Sequence, residues 1–181
     1  LIPIPVSSEE VHKYYRGFAN RAIWPLFHDL LEQFFFDLEE YGVYLRVNRR
    51  FAEITAQHIE DNDIIWIHDY QLICAGHYLR EAGVTGQLNF FLHIPFPSLD
   101  LYRRFPRNRE LLQAFLRYDH IGFQTADDRR NFINCVKWLL PEAQRITRKR
   151  QAVINYQGHV TKIGFYPISI DFKDFNQDAM G

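Results

Sequence analysis

No apolar run in this chain approaches the roughly 20 residues needed to cross a bilayer, so the sequence predicts no membrane partner. Its opening residues lack a Met, a basic n-region and a cleavage site, and no secretory signal is visible. Cysteine occurs twice, at Cys74 and Cys135, far apart on predicted helices. The expectation is two buried thiols of a reducing compartment, against a redox or disulfide role, and the predicted location is cytoplasmic. Net charge is -1, so there is no global argument for nucleic acid or an anionic surface. Internal repeats and low-complexity tracts are absent. None of His58, His68, His77, His93 and His120 has the local spacing of a metal site, such as His-x-x-x-His with a partner acid. No metal and no cofactor is predicted. Arg145, Arg148, Lys149 and Arg150 form one basic run, read as a solvated loop, with an anion or nucleic-acid patch as the alternative.

What is there is a globular composition, 47% hydrophobic and 24% charged, in a chain of 181 residues, long enough for a sizeable core. Three short apolar runs dominate it. Asp63–Ile67 leads into His68-Asp69-Tyr70, Leu88–Leu92 into His93-Ile94-Pro95-Phe96-Pro97, and His120–Phe123 into Gln124-Thr125. Each reads as a strand buried on both faces of a parallel sheet. Ligands of open α/β sheets bind beyond the carboxyl ends of the strands. His68, Asp69, His93 and Gln124 are therefore expected to line one rim of one crevice.

Helical periodicity fills the intervals. Ser7 and Glu10 form a capping box ahead of a helix expected to bury Val11, Tyr14, Tyr15 and Phe18. Trp24 to Phe36 is expected to be helical, with Pro25 in a first turn. Tyr44, Val47, Phe51, Ile54 and His58 mark an amphipathic helix. Further helices are predicted over about 71–81, 99–105, 109–117 and, behind a Thr125 cap, to near Pro141. Gln157-Gly158 predicts a hairpin turn between strands 152–156 and 159–166. Phe34, Phe35 and Phe36 cannot all face one side of a helix, and they read as core or as a contact with a second subunit. Strands alternating with helices make the fold α/β, a doubly wound, mainly parallel sheet.

Spacing alone leaves the candidate residues with two readings each. Asp69 at a strand end can cap the following helix or accept hydrogen bonds from sugar hydroxyls. His93 can be a satisfied core histidine or a site residue. Tyr15 and Trp24 can be core aromatics, or apolar bodies that each carry one donor.

Five blocks settle on one family. Asn20–His28, Val47–Ala52, Trp66–Tyr70, Phe91–Ser98 and Gly122–Thr125 resemble, in order and spacing, the trehalose-6-phosphate synthases, and the likeness runs from Val11 to Asp171. The resemblance implies one half of a two-domain, GT-B-type retaining glycosyltransferase with Rossmann-like domains and the active site between them. Residues 1–168 would be the N-terminal acceptor-binding domain, incomplete at its start, and 169–181 the beginning of a linker to a donor-binding domain. The implied reaction joins a nucleotide-glucose, most often UDP-glucose, to glucose 6-phosphate, giving trehalose 6-phosphate. This part alone would then be inactive.

By motif match, Asp69 would bind the acceptor glucose ring, Tyr15 and Trp24 the acceptor phosphate, and His93 would be the catalytic-site residue at the donor sugar. Attack would be front-face, with the donor's own phosphate taking the acceptor proton, so no carboxylate pair is sought. Gln71 stands where many members have His; an amide bonds a hydroxyl but carries no protonic charge. The alternatives are a synthase with another acceptor, such as a glucosylglycerol-phosphate synthase or a pseudo-glycosyltransferase, and a non-catalytic sugar-phosphate-sensing module. A homo-oligomer is possible in either case.

Overall fold

The computed structural model describes residues 1–148 and 151–169. Its sheet has six strands: β1 (Ile64–His68), β2 (Gln87–Phe91), β3 (His120–Phe123), β4 (Gln144–Arg148), β5 (Gln151–Tyr156) and β6 (His159–Phe165). They lie in the order β1-β2-β3-β6-β5-β4. β1, β2, β3 and β6 run parallel, and β5 and β4 continue the sheet antiparallel. The architecture is thus the mixed, mostly parallel α/β sheet that the strand–helix alternation predicts. Four strands end on the same edge, which is where a crevice can form.

Register decides which side chains are buried. Ile65 pairs with Leu88 and Ile67 with Phe90, and this face meets the core. Ile64 and Trp66 point the other way and are 71% and 63% exposed. The expectation that each strand is buried on both faces therefore fails for β1, an edge strand. β5 and β6 meet at Gln157-Gly158, where φ is +51° and +83°. Positive φ at both central residues is the signature of a two-residue type I′ turn, whose twist matches that of the strands.

The helices follow their caps. α1 (Ser8–Val11) starts at the Ser7–Glu10 capping box, then winds as a π-helix over His12–Ile23 and returns to α geometry in α2 (Trp24–Phe27). Gly17 breaks the winding at φ −77°, ψ −105°, and a Cβ there would lie 2.7 Å from the Glu40 carboxyl carbon. Val11 and Tyr15 face solvent on this arm, 38% and 44% exposed, contrary to their predicted burial. The predicted helix over Trp24–Phe36 stops at Phe27, because Asp29 takes φ +60° and only a short 3₁₀ turn, Leu31–Gln33, follows.

Phe34 to Phe36 lie outside any helix. Phe36 contacts Phe18, Tyr41 and Phe105, while Phe35 faces out beneath the Arg21 guanidinium. α3 (Leu38–Ala56) begins six residues before Tyr44, because the Asp37 carboxylate caps the Glu40 N–H. α4 (Ala75–Glu81), α5 (Leu99–Tyr102), α6 (Asn108–Phe115) and α7 (Ala126–Leu139) occupy the predicted intervals. Cys74 and Cys135 are buried free thiols, each pushed up to about 12 by burial. The basic run is not a loop: Arg145 and Arg148 belong to β4, paired along its length with β5, and Lys149 and Arg150 lie outside the described residues. So does most of the predicted linker, residues 170–181.

Candidate active site

The parallel strand ends bring Asp69 and His93 together. The Asp69 N–H donates to the Phe91 carbonyl at 2.8 Å, and an Asp69 carboxylate oxygen accepts from the His93 N–H at 3.2 Å. Asp69 does not cap the next turn with its side chain, so the capping reading is set aside. Its backbone sits at φ +70°, ψ 168°. That region is close to glycine-only and costs about 1–3 kcal/mol for any other residue. The chain tolerates the strain because the turn that follows is clamped from several directions.

Three buried side chains act as the clamp. The Tyr44 hydroxyl donates to the Tyr70 carbonyl (2.8 Å) and accepts from the Ile73 N–H (3.2 Å). The Asn48 amide donates to the Tyr44 and Gln71 carbonyls and accepts from the Cys74 N–H. Tyr118 accepts from the Gly76 N–H at 2.9 Å and donates to the Leu72 and Ile73 carbonyls. A Cβ on residue 76 would stand 2.5 Å from the Tyr118 ring, so glycine is needed for this approach. These residues were not singled out as site residues from sequence. The one available signal was a fully buried amide, Asn48, within the apolar stripe of α3.

His93 opens the loop of Pro95, Phe96 and Pro97, which is fixed from its far side. The Asp128 carboxylate accepts from the Phe96 N–H (2.9 Å) while also closing the Thr125 capping box, and Asn131 donates to the Phe96 carbonyl. The Phe96 ring is buried among Phe27, Tyr102, Phe115, Phe123 and Phe132. His68 and His93 are both exposed, and their rings meet at 3.0 Å, Nδ1 to Nε2. Burial, then the neighbouring His93, holds the His68 imidazole below its ordinary pKa, against the pull of Asp69. Gln124 ends β3 on the same edge, but its amide oxygen is taken by the Ile168 N–H.

Tyr70 links this corner to the helical arm. Its hydroxyl donates to Asn20, and its ring lies 5.7 Å from that of Trp24. Burial, then Tyr15, then Asp69 push the Tyr70 phenol up to about 12, so both residues lie within its electrostatic reach. Trp24 is 39% exposed and stacks on His28. In an α-helix of 3.6 residues per turn, a nine-residue separation would place Tyr15 and Trp24 on opposite faces. The Gly17 kink lies between them and breaks that periodicity, and both residues approach Tyr70. Arg21 is not part of this group; it pairs with Glu40 at 3.0 Å.

Two hollows adjoin these elements. One of about 570 Å³ opens on the uncovered sheet face, bounded by Trp66, His68, Phe91, His93 and Tyr166. The other, about 310 Å³, lies among α3, α4 and α6, where Tyr41 bonds Glu110 and Gln113 bonds Tyr156. Only the first reaches the strand ends. Among the described residues, no three His, Cys, Asp or Glu side chains converge as metal ligands.

Comparison with known proteins identifies a family and close structural relatives. The model of glycosyltransferase family 20 matches residues 1–180. The trehalose-6-phosphate synthase of Escherichia coli O1:K1 is 36% identical over 176 residues, 97% of this chain and 36% of that protein. The chain thus spans little more than a third of the relative's length. Two solved structures superpose closely. An E. coli protein with UDP-2-fluoro glucose bound gives a TM-score of 0.88 at 36% identity, over 97% of this chain and 38% of the other. An alpha,alpha-trehalose-phosphate synthase (UDP-forming) from Burkholderia xenovorans, in complex with glucose-6-phosphate, gives 0.82 at 35% identity, over 90% and 36%.

Proposed function

This chain belongs to glycosyltransferase family 20, and from that footing we propose that it is the acceptor side of a retaining glucosyltransferase making trehalose 6-phosphate. The substrates are a nucleotide-glucose, UDP-glucose in the first instance, and glucose 6-phosphate. What supports this choice is that relatives of this fold were solved with a UDP-glucose analogue and with glucose-6-phosphate.

The observation that carries the reading is the Asp69–His93 junction. The Asp69 carboxylate, on a strained backbone and tied by one oxygen to the His93 N–H, stands at the strand ends, and the adjacent Tyr70 leads to Trp24 and Tyr15. In this reading Asp69 accepts hydrogen bonds from acceptor hydroxyls, and Tyr15 and Trp24 donate to the acceptor phosphate. His93 lies against the donor sugar. The glucosyl C1–O bond to the diphosphate breaks as the acceptor's anomeric oxygen bonds to the same face of C1. The acceptor proton goes to the departing phosphate oxygen. The protein's part in this reading is positioning, which can supply about 7–11 kcal/mol of the barrier reduction.

The test is direct. Full-length protein with UDP-glucose and glucose 6-phosphate is expected to release UDP and form trehalose 6-phosphate in equal amounts. The 181-residue chain alone is expected to form none. UDP release that is indifferent to glucose 6-phosphate would reject the acceptor, and no release with any nucleotide-glucose would reject the enzyme.

A further inference from the structure

The strand β1 holds His93 at two points. Asp69 takes its main-chain N–H, and His68 meets its ring nitrogen Nε2 through Nδ1 at 3.0 Å. Both rings are backed by aromatics, His68 by Trp66 at 4.7 Å and His93 by Phe91 at 4.8 Å, so neither imidazole turns freely. The contact has a simple proton count. A neutral imidazole carries one N–H, so a bond between two neutral rings needs the proton on one side and a lone pair on the other. If His68 Nδ1–H donates, His93 carries its proton on Nδ1. If His93 Nε2–H donates, its Nδ1 is an acceptor. In both cases the free nitrogen of His93 has one defined role, and it reverses only if His68 changes tautomer too.

We propose that His68 is a positioning residue for His93: through the Nδ1–Nε2 bond it ties the tautomer that His93 presents to the donor sugar to its own. The inference rests on placing His93 at that sugar. The second nitrogen of a functional histidine is commonly set by the bond its first nitrogen makes. Here the partner is another imidazole, and the Asp69 carboxylate is bonded to the main chain of His93. A proton added to each ring would put two cations 3.0 Å apart, and burial and then the neighbouring His93 lower the His68 pKa.

The experiment compares full-length wild type with His68→Leu and His68→Asn, the amide of Asn occupying the place of Nδ1. Histidine ring nitrogens labelled with ¹⁵N are read by long-range ¹H–¹⁵N correlation, and kcat and KM are measured for glucose 6-phosphate with UDP-glucose. Wild-type His93 is expected to carry the same tautomer as His68, both Nδ1–H or both Nε2–H, and the His93 population is expected to shift in His68→Leu. The kcat of the Leu variant should fall by about tenfold, the worth of one well-placed hydrogen bond, with KM for glucose 6-phosphate unchanged. His68→Asn should restore most of the rate. An unchanged His93 tautomer in His68→Leu, a changed tautomer with an unchanged kcat, or equal losses in both variants would each overturn the proposal. If wild type turns over neither substrate, the proposed reaction fails, and the tautomer comparison still decides whether His68 sets His93.

Discussion

Asp69 and His93 are joined across two strands by a hydrogen bond from the His93 N–H to the Asp69 carboxylate, while Asp69 itself is held at φ +70°. The residue that carries the strain is thus also the one that ties the two candidate strand ends together. Strain kept at such a place is a mark of function, since glycine would relieve it.

Substitution at Asp69 separates these two properties. Asp69→Gly removes a strain of about 1–3 kcal/mol and is expected to unfold later than Asp69→Ala, which keeps the strain and loses the carboxylate. Both variants are expected to lose at least about tenfold in efficiency with glucose 6-phosphate, since a hydrogen bond to a charged group is worth roughly 1.5–3 kcal/mol. Binding of the nucleotide should stay near normal. Urea denaturation and acceptor kinetics on full-length protein check this. If activity simply follows stability, so that the Gly variant is the more active, Asp69 is structural.

Tyr15 and Trp24 are each more than a third exposed, so trimming them costs little packing. Tyr15→Phe removes only a hydroxyl, and it is expected to reduce the preference for glucose 6-phosphate over glucose by about tenfold, one hydrogen bond to a charged group. Trp24→Phe should act in the same direction. The readout is the ratio of kcat/KM for the two acceptors. A ratio unaltered in both variants removes these residues from the phosphate site.

Asn48 is fully buried and serves three main-chain groups at once. Asn48→Leu leaves the buried Cys74 N–H without its partner, at a cost of about 1–3 kcal/mol, while the Gln71 carbonyl keeps the Tyr14 hydroxyl. The variant is expected to be destabilised by about that amount and to loosen the turn after Asp69, read by hydrogen exchange at Ile73 and Cys74. Unchanged protection there would show that Tyr44 and Tyr118 hold the turn by themselves.

The start of the helical arm is tied to α3 by a two-pronged ion pair, Arg50 to both Glu10 carboxylate oxygens at 2.9 and 2.6 Å. Arg50 first, and then the Ser7 N–H, lowers the Glu10 pKa from 4.5 to about 2. A carboxylate depressed on folding stabilises the protein above its unfolded pKa and loses that contribution as pH falls through the folded value. The gap in stability between wild type and Glu10→Gln should therefore be full above pH 4.5 and close as pH falls toward 2. A gap that stays constant across that window would mean that folding does not lower the Glu10 pKa.

Much of this arrangement was legible in the chain. The capping boxes at Ser7 and Thr125, the end of β1 at His68 and the turn at Gln157-Gly158 are where local patterns place them, while β2 ends at Phe91, short of the predicted 94. Other elements misled. Trp24 to Phe36 has the composition of a helix, yet the chain turns at Asp29, and Phe34–Phe36 lie outside any helix, with Phe36 inward and Phe35 outward. Val11 and Tyr15 fit an α-helical stripe that a π-wound arm does not present.

Local chemistry by itself determined β1, β2, β3, β5 and β6, the caps and the hairpin, because periodicity and capping act over a few neighbouring residues, whereas Asp69 and His93 were chosen as site residues on the family resemblance. Tertiary structure alone decided that Asp69 adopts a strained backbone, that Tyr15 and Trp24 both approach Tyr70, and that His68 bonds the ring of His93. It also recruited Tyr44, Asn48 and Tyr118 to clamp a turn far from them in sequence. Each of these depends on contacts between distant segments, whose energy offsets local preference only once the sheet and helices have assembled, and no local pattern records that balance.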